Sequence, residues 1–110
     1  MRKSEPKTFS ERVIEMALSI PGGRVTTYGR IARAAGGGTM ASQSITSILS
    51  KAYDAGATAI PFHRIVYANG KVWLSPEHEV ARRKLYESEG IELDEAGRIT
   101  NFADVLFEFR

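Results

Sequence analysis

Apolar residues recur at helical spacing from the beginning of the chain. Phe9, Val13, Met16, Ala17 and Ile20 fall on one face of a helix. Thr8 and Glu11 have the spacing of a capping box at its start, and Pro21-Gly22-Gly23 stops it. After the short extended link Arg24-Val25-Thr26, Thr27 is placed to cap a second short helix carrying Tyr28, Ile31, Ala32 and Ala35, which Gly36-Gly37-Gly38 ends. A third helix is predicted from about Met40 to Tyr53, with Ala41, Ile45, Ile48, Leu49 and Ala52 inward. Helix, glycine-rich turn, helix is the order of a helix-turn-helix unit, an order that purely structural helix pairs share.

Beyond the loop Asp54-Ala55-Gly56-Ala57-Thr58-Ala59 the pattern changes. Arg64-Ile65-Val66-Tyr67 and Lys71-Val72-Trp73-Leu74 flank Asn69-Gly70, which predicts a tight hairpin. Ser75-Pro76-Glu77 reads as the start of a fourth helix: serine caps, proline suits the first position, and Glu77 and Glu79 favour the positive end. Arg82, Arg83 and Lys84 lie further along it and Gly90 closes it. Ile91 to Thr100 suits a second small hairpin around Gly97. Phe102, Val105, Leu106, Phe107 and Phe109 predict a tail that packs back on the domain. Nothing repeats internally.

A chain of 110 residues makes one small domain, expected over residues 8–110 behind a flexible basic arm, residues 1–7. The arm has no apolar stretch after its basic residues and so is not a signal peptide. With 43% hydrophobic and 25% charged residues and no long apolar run, the expectation is a soluble globular monomer without a membrane span. A net charge of +2 permits nucleic-acid binding without demanding it. The chain has no cysteine, which removes disulfides, thiolate zinc sites and every cysteine nucleophile. It fits a cytoplasmic protein. No cofactor and no metal are expected.

Two stretches carry candidate chemistry. The outward face of the third helix holds Ser42, Gln43, Ser44, Thr46, Ser47, Ser50 and Lys51. Small hydroxyl side chains let a helix approach another surface closely and hydrogen-bond phosphates, whereas a merely solvated face is usually rich in Glu and Lys. In Ile60-Pro61-Phe62-His63-Arg64-Ile65-Val66, the proline stiffens a bend bearing an aromatic, an imidazole and a guanidinium in a row. These side chains either line a pocket, or plug the core and hydrogen-bond loops.

That second stretch resembles the Pro-Cys-His-Arg-Val active-site motif of the O6-alkylguanine-DNA alkyltransferases, with Phe62 where the cysteine belongs. Arg24-Val25-Thr26-Thr27-Tyr28-Gly29-Arg30-Ile31-Ala32 resembles the family's Val-x-Thr-Tyr-Gly-x-x-Ala. Gly70-Lys71-Val72, Arg83-Lys84-Leu85 and Glu89-Gly90 resemble its C-terminal segment, so the likeness runs from about residue 8 to 93. With the cysteine replaced, the chain is similar to the alkyltransferase-like proteins, where that position is usually Trp or Ala.

The resemblance implies a mainly α winged helix-turn-helix domain with a small β hairpin, like the C-terminal domain of the alkyltransferases. It implies a non-enzymatic protein that enters the minor groove of double-stranded DNA, flips an O6-alkylguanine, and blocks it or flags it for nucleotide excision repair proteins. Thr27, Tyr28, Gln43, Ser44 and Ser47 would contact DNA, with Tyr28 pushing on the phosphate 3′ of the target. Tyr28, Phe62, His63, Val72 and Trp73 would form the lesion pocket. His63 and Glu89 match a histidine–glutamate relay, a hydrogen-bonded chain through water in the family, and Arg64 and Glu89 would be structural.

Besides Phe62, a conservative departure from Trp, two more departures stand out. Gln43 occupies the place of the arginine that fills the vacated base stack, and Trp73-Leu74-Ser75-Pro76 replaces a glycine-rich pocket wall, so that Trp73 either lines the pocket or packs in the core. The alternative reading is a DNA- or protein-binding scaffold that has lost lesion recognition. A hydrolytic enzyme run by His63 and Glu89 lacks both nucleophile and metal set.

Overall fold

A computed structural model describes residues 7–37 and 41–109. The proposed arm, apart from Lys7, lies outside them, as do Gly38 and the expected third-helix start at Met40; the expectations for the side chains of Ala41 and Ser42 also fall outside the description. Helix α1 spans Phe9–Leu18 and opens with the capping box: the Glu11 N–H donates to Thr8 Oγ1 at 3.1 Å and the Thr8 N–H to Glu11 Oε1 at 2.9 Å. Thr8→Ala removes one of these bonds and is expected to cost about 1 kcal/mol, read as a lowered urea midpoint with an unchanged slope; an unshifted midpoint would show that the cap contributes nothing.

Strand β1 is Thr26–Thr27, and Thr27 caps α2, Tyr28–Ala34, by accepting the Arg30 N–H at 3.2 Å. Residues Ala41–Ser44 form a 3₁₀ turn, and only at Ile45 does α3, Ile45–Asp54, begin. The expected α-helical first turn is thus a tighter one, and the Ser44 side chain does not cap α3. Another 3₁₀ turn, Phe62–Arg64, leads into strand β2, Ile65–Val66.

The expected hairpin forms only as a turn. The Tyr67 N–H reaches Lys71 O at 3.0 Å, and Gly70 takes φ +84, where a Cβ would stand 3.3 Å from the Phe102 ring. But β2 pairs in parallel with β1, Thr26 with Ile65 and Thr27 with Val66, while Lys71 bridges Arg98 and the Val72 N–H donates to Gly97 O at 2.9 Å. Ile65 and Val66 are both buried, one in each of two cores, and that burial holds them inside the domain.

The fourth helix also starts late. Ser75 Oγ meets His78 Nδ1 at 2.8 Å, the His78 N–H reaches Ser75 O at 3.0 Å, and α4 spans Glu79–Ser88. It ends in a Schellman motif: Ile91 N–H to Tyr86 O and Gly90 N–H to Glu87 O, each at 3.0 Å, with Gly90 at φ +77. The segment 91–100 does form a small hairpin, with Leu93 bridging Ile99 and the Asp94 N–H on Arg98 O at 2.9 Å. A last helix, α5, is Phe102–Val105, and the tail beyond it pairs with Val25: Val25 N–H to Val105 O at 2.9 Å and Phe107 N–H to Val25 O at 2.7 Å.

Two apolar clusters result. Val13, Ala17 and Ile20 of the first helical segment pack with Ile31, Ala32, Ala35, Ile45, Leu49, Ile60 and Ile65. Val25, Val66, Val72, Tyr86, Ile91, Ile99 and Val105 form the second. The short parallel ladder lies between them, and the bend carrying Phe62, His63 and Arg64 runs directly into it. The fold is mainly helical with a two-stranded sheet. Among the described residues no helix is long and apolar enough to cross a membrane.

Candidate nucleic-acid interface

The helix-turn-helix unit is joined at its first turns. Tyr28 opens α2, and Thr46 near the start of α3 is a polar neighbour of its hydroxyl that draws its pKa down. Its ring packs on Tyr67 with centroids 5.8 Å apart. Tyr28 is half-buried, and burial raises its pKa, opposed by Thr46. The phenol is therefore neutral at pH 7.

Around it, Gln43, Ser44, Thr46, Ser47 and Ser50 are exposed on the segment that begins α3. Of the residues expected to contact DNA, the structure brings Tyr28, Gln43, Ser44 and Ser47 to this surface. Thr27 is a correction. It is 3% exposed and its hydroxyl is used as the α2 cap, so it serves the backbone and has no face for a phosphate.

The Phe62-His63-Arg64 turn divides its side chains among separate neighbours. Phe62 is partly buried against the first core and meets Tyr53 edge-on, centroids 5.8 Å apart. Arg64 reaches across the molecule. Its Nε and Nη2 grip Glu89 Oε1 at 3.1 Å and Oε2 at 2.7 Å, and its Nη1 donates to Ile20 O at 3.2 Å. One guanidinium thus ties the end of the α1 segment to the end of α4.

Glu89 is the hub. Besides Arg64 it accepts the Gly23 N–H at 3.1 Å on Oε1, and Oε2 lies 3.0 Å from His63 Nε2. Burial alone would raise its pKa, but the bonds from Arg64, His63 and the Gly23 amide outweigh it and bring it down to about 2. Burial lowers the pKa of His63 against the pull of Glu89. At pH 7 the pair is an ionised carboxylate and a neutral imidazole. A carboxylate only accepts, so Nε2 carries the proton and Nδ1 is the free acceptor of the ring. The histidine meets the glutamate directly.

Tyr86 lies under this turn. It is 1% exposed, donates its hydroxyl to His63 O at 2.5 Å, and its pKa is pushed up to about 12 by burial. Sequence reasoning missed Tyr86, although it is the one aromatic in α4. It missed Arg82 as well, whose guanidinium sits 5.5 Å from the Trp73 ring centroid.

Trp73 is 51% exposed, which decides between its two readings: it stands on the surface beside Arg82 and His78 and is not in the core. Val72, expected in the pocket, is 3% exposed and packs in the second core, because the pairing of its amide with Gly97 turns its side chain inward. No group of three or more His, Cys, Asp or Glu able to hold a metal occurs among the described residues.

This arrangement can bind and orient, and with no thiol in the chain it cannot accept an alkyl group on cysteine. The family profile for the DNA-binding domain of 6-O-methylguanine DNA methyltransferase matches residues 8–91. A DNA base-flipping protein of Escherichia coli strain K12 is 34% identical over 92 residues, covering 84% of this chain and 69% of that one. A DNA base-flipping protein of Vibrio parahaemolyticus serotype O3:K6 is 30% identical over 91 residues, covering 83% and 88%. The crystal structure of S. pombe Atl1 in complex with damaged DNA containing O6-carboxymethylguanine superposes with a TM-score of 0.69 at 24% identity, covering 92% of this chain and 95% of that one. At that identity the last likeness is one of fold.

Proposed function

The chain belongs to the family of the 6-O-methylguanine DNA methyltransferase DNA-binding domain, and from that premise we propose that it is a non-enzymatic protein which recognises O6-alkylguanine in double-stranded DNA by base flipping. The start of α3 enters the minor groove, Tyr28 pushes on the backbone, and the extruded base is held beside Phe62 and His63. Relatives named for base flipping support this reading.

The observation that carries it is what surrounds the missing nucleophile. Tyr28 packs on Tyr67 and His63 is held by Glu89, while the side chain between the proline and the histidine is a partly buried phenyl ring. Such a site binds without turning over. Extrusion costs a few kcal/mol of stacking and pairing, and damaged bases cost least. An apolar O6 substituent against Phe62 contributes about 0.8 kcal/mol per methylene. A complex that persists on the lesion blocks it and flags it for nucleotide excision repair proteins.

The test is a salt-controlled titration of two short duplexes differing only in one O6-methylguanine. A several-fold preference for the methylated duplex is expected, and Tyr28→Ala should abolish it while leaving the melting temperature within a few degrees. Equal binding across ionic strengths would defeat the proposal. It would then favour a scaffold that has lost lesion recognition, the reading that Gln43, without charge at the base-stack position, supports.

A further inference from the structure

The parallel ladder ends in a pair of tyrosines. Thr26 pairs with Ile65 and Thr27 with Val66, so Tyr28 and Tyr67 are the next residues out at the same end of the two strands. Their rings lie 5.8 Å apart between centroids and are tilted by 41°. Tyr67 stands on a closed turn. Its N–H donates to Lys71 O at 3.0 Å, its carbonyl accepts the Gly70 N–H at 2.8 Å, and Asn69 Oδ1 accepts the Lys71 N–H at 3.0 Å. Tyr28 opens α2, and its ring rests against the first core.

Tyr67 keeps 48% of its surface exposed, so its ring adds little to either core. The aromatic neighbour it covers is Tyr28. A tyrosine that pushes a nucleotide out of the stack must keep its ring from swinging away under load. Helix α2 fixes the Tyr28 backbone, which leaves rotation about χ1 and χ2. A second ring packed at this distance favours one orientation. Tyr67 makes a firm support because its backbone is bonded in both directions. It also belongs to a different element from α2, so it resists movement of the Tyr28 ring and does not travel with it.

Resting on the function proposed above, we infer that Tyr67 is a positioning residue for base extrusion: its ring braces the Tyr28 ring in the orientation that pushes on the backbone. The push is used only in complexes whose base has left the stack, and a damaged base leaves at the lowest cost. Loss of the brace therefore weakens binding to a methylated duplex and leaves the plain duplex nearly unchanged. A phenol that merely donated to a phosphate would act on both alike.

The experiment uses two duplexes of one sequence, carrying guanine or O6-methylguanine, each with 2-aminopurine as the 5′ neighbour. The fluorescence of 2-aminopurine rises when its stacking partner leaves. At fixed salt the unaltered protein should prefer the methylated duplex and brighten it. Tyr67→Ala should lower the ratio of the guanine to the O6-methylguanine dissociation constant by about threefold, the size of one aromatic pair, and dim the signal at saturation. Tyr67→Phe keeps the ring and should keep both. Tyr67→Leu keeps bulk on the turn without a flat ring and should behave as Tyr67→Ala; it replaces the alanine variant if that one melts early. In Tyr28→Ala nothing is left to brace, so adding Tyr67→Ala should weaken neither duplex further.

An unchanged ratio and signal in Tyr67→Ala overturns this inference and leaves the proposed function standing. An equal loss on both duplexes in Tyr67→Phe assigns the Tyr67 hydroxyl to a phosphate and also overturns it, as does a further loss in the double variant. No preference and no brightening with the unaltered protein overturns both.

Discussion

Glu89→Ala is expected to lower the folding stability by about 3 kcal/mol at pH 7. The carboxylate accepts from Arg64 twice, from the Gly23 amide, and from His63, with 13% of its side chain exposed. Removing it leaves a guanidinium and a backbone N–H without their acceptor. Breaking a buried ion pair from one side costs about 3–5 kcal/mol, and the low end applies because Arg64 keeps 21% of its side chain exposed. Glu89→Gln should cost less, since the amide oxygen still accepts one of these bonds. Urea unfolding measures both, and a loss under about 1 kcal/mol for the alanine variant would refute the hub.

The same residue sets the acid limit. The folded-state pKa of Glu89 lies below its ordinary 4.5, at about 2, so its contribution is complete above pH 4.5 and is lost as pH falls from there toward about 2. That displacement corresponds to about 3 kcal/mol, the same size as the loss expected for Glu89→Ala. His63 acts in the same direction. Its folded pKa is lowered from 6.5, so the unfolded chain takes up its proton first and stability begins to decline below pH 6.5. Unfolding free energy should therefore fall gently below pH 6.5 and steeply below pH 4.5. Glu89→Gln should remove the steep part.

Leu49→Ala is the second large effect, expected at about 3 kcal/mol. Leu49 is 0% exposed and fixes α3 against Val13 and Ala17 of α1. In a domain of this size the loss corresponds to a fall in melting temperature of more than about 10 °C. Ser47→Ala, two residues earlier on the exposed side of α3, should shift the melt by a small fraction of that. Equal shifts for the two variants would mean that the helix does not present these faces as described. The Leu49→Ala protein should also bind every duplex more weakly, because loosening α3 misplaces Thr46, the polar neighbour of Tyr28.

What could be read directly from the chain was local. The α1 capping box, the Thr27 cap, the Gly90 terminus and the hairpin around Gly97 each depend on residues a few positions apart, and they form as their spacing implies. The errors came where a partner lies far away. Asn69-Gly70 makes its turn, but the strand before it pairs with Thr26–Thr27 and the strand after it with Gly97–Arg98, which no local pattern announces. Val72 alternates correctly for a strand, yet which face is inward depends on that distant pairing. Thr27 could not serve both as a helix cap and as a phosphate contact, and the cap took its hydroxyl. Arg82 read as one of three basic residues on a solvated helix. Its place over the Trp73 ring follows only from folding α4 against it.

The pairing of Val25 with the segment 105–107 sets an order of events during synthesis. Val25 sits at the entrance to the helix-turn-helix unit, and both its amide and its carbonyl are satisfied by backbone that the ribosome delivers some eighty residues afterwards. The helices of the first core have mostly local contacts and can form while the chain is still emerging. The parallel ladder needs only the chain to Val66, but the Val25 backbone just before it is not covered until Phe107 has left the exit tunnel. Until then the Val25 backbone is an open edge, and a nascent chain stalled before that point would offer it to other strands.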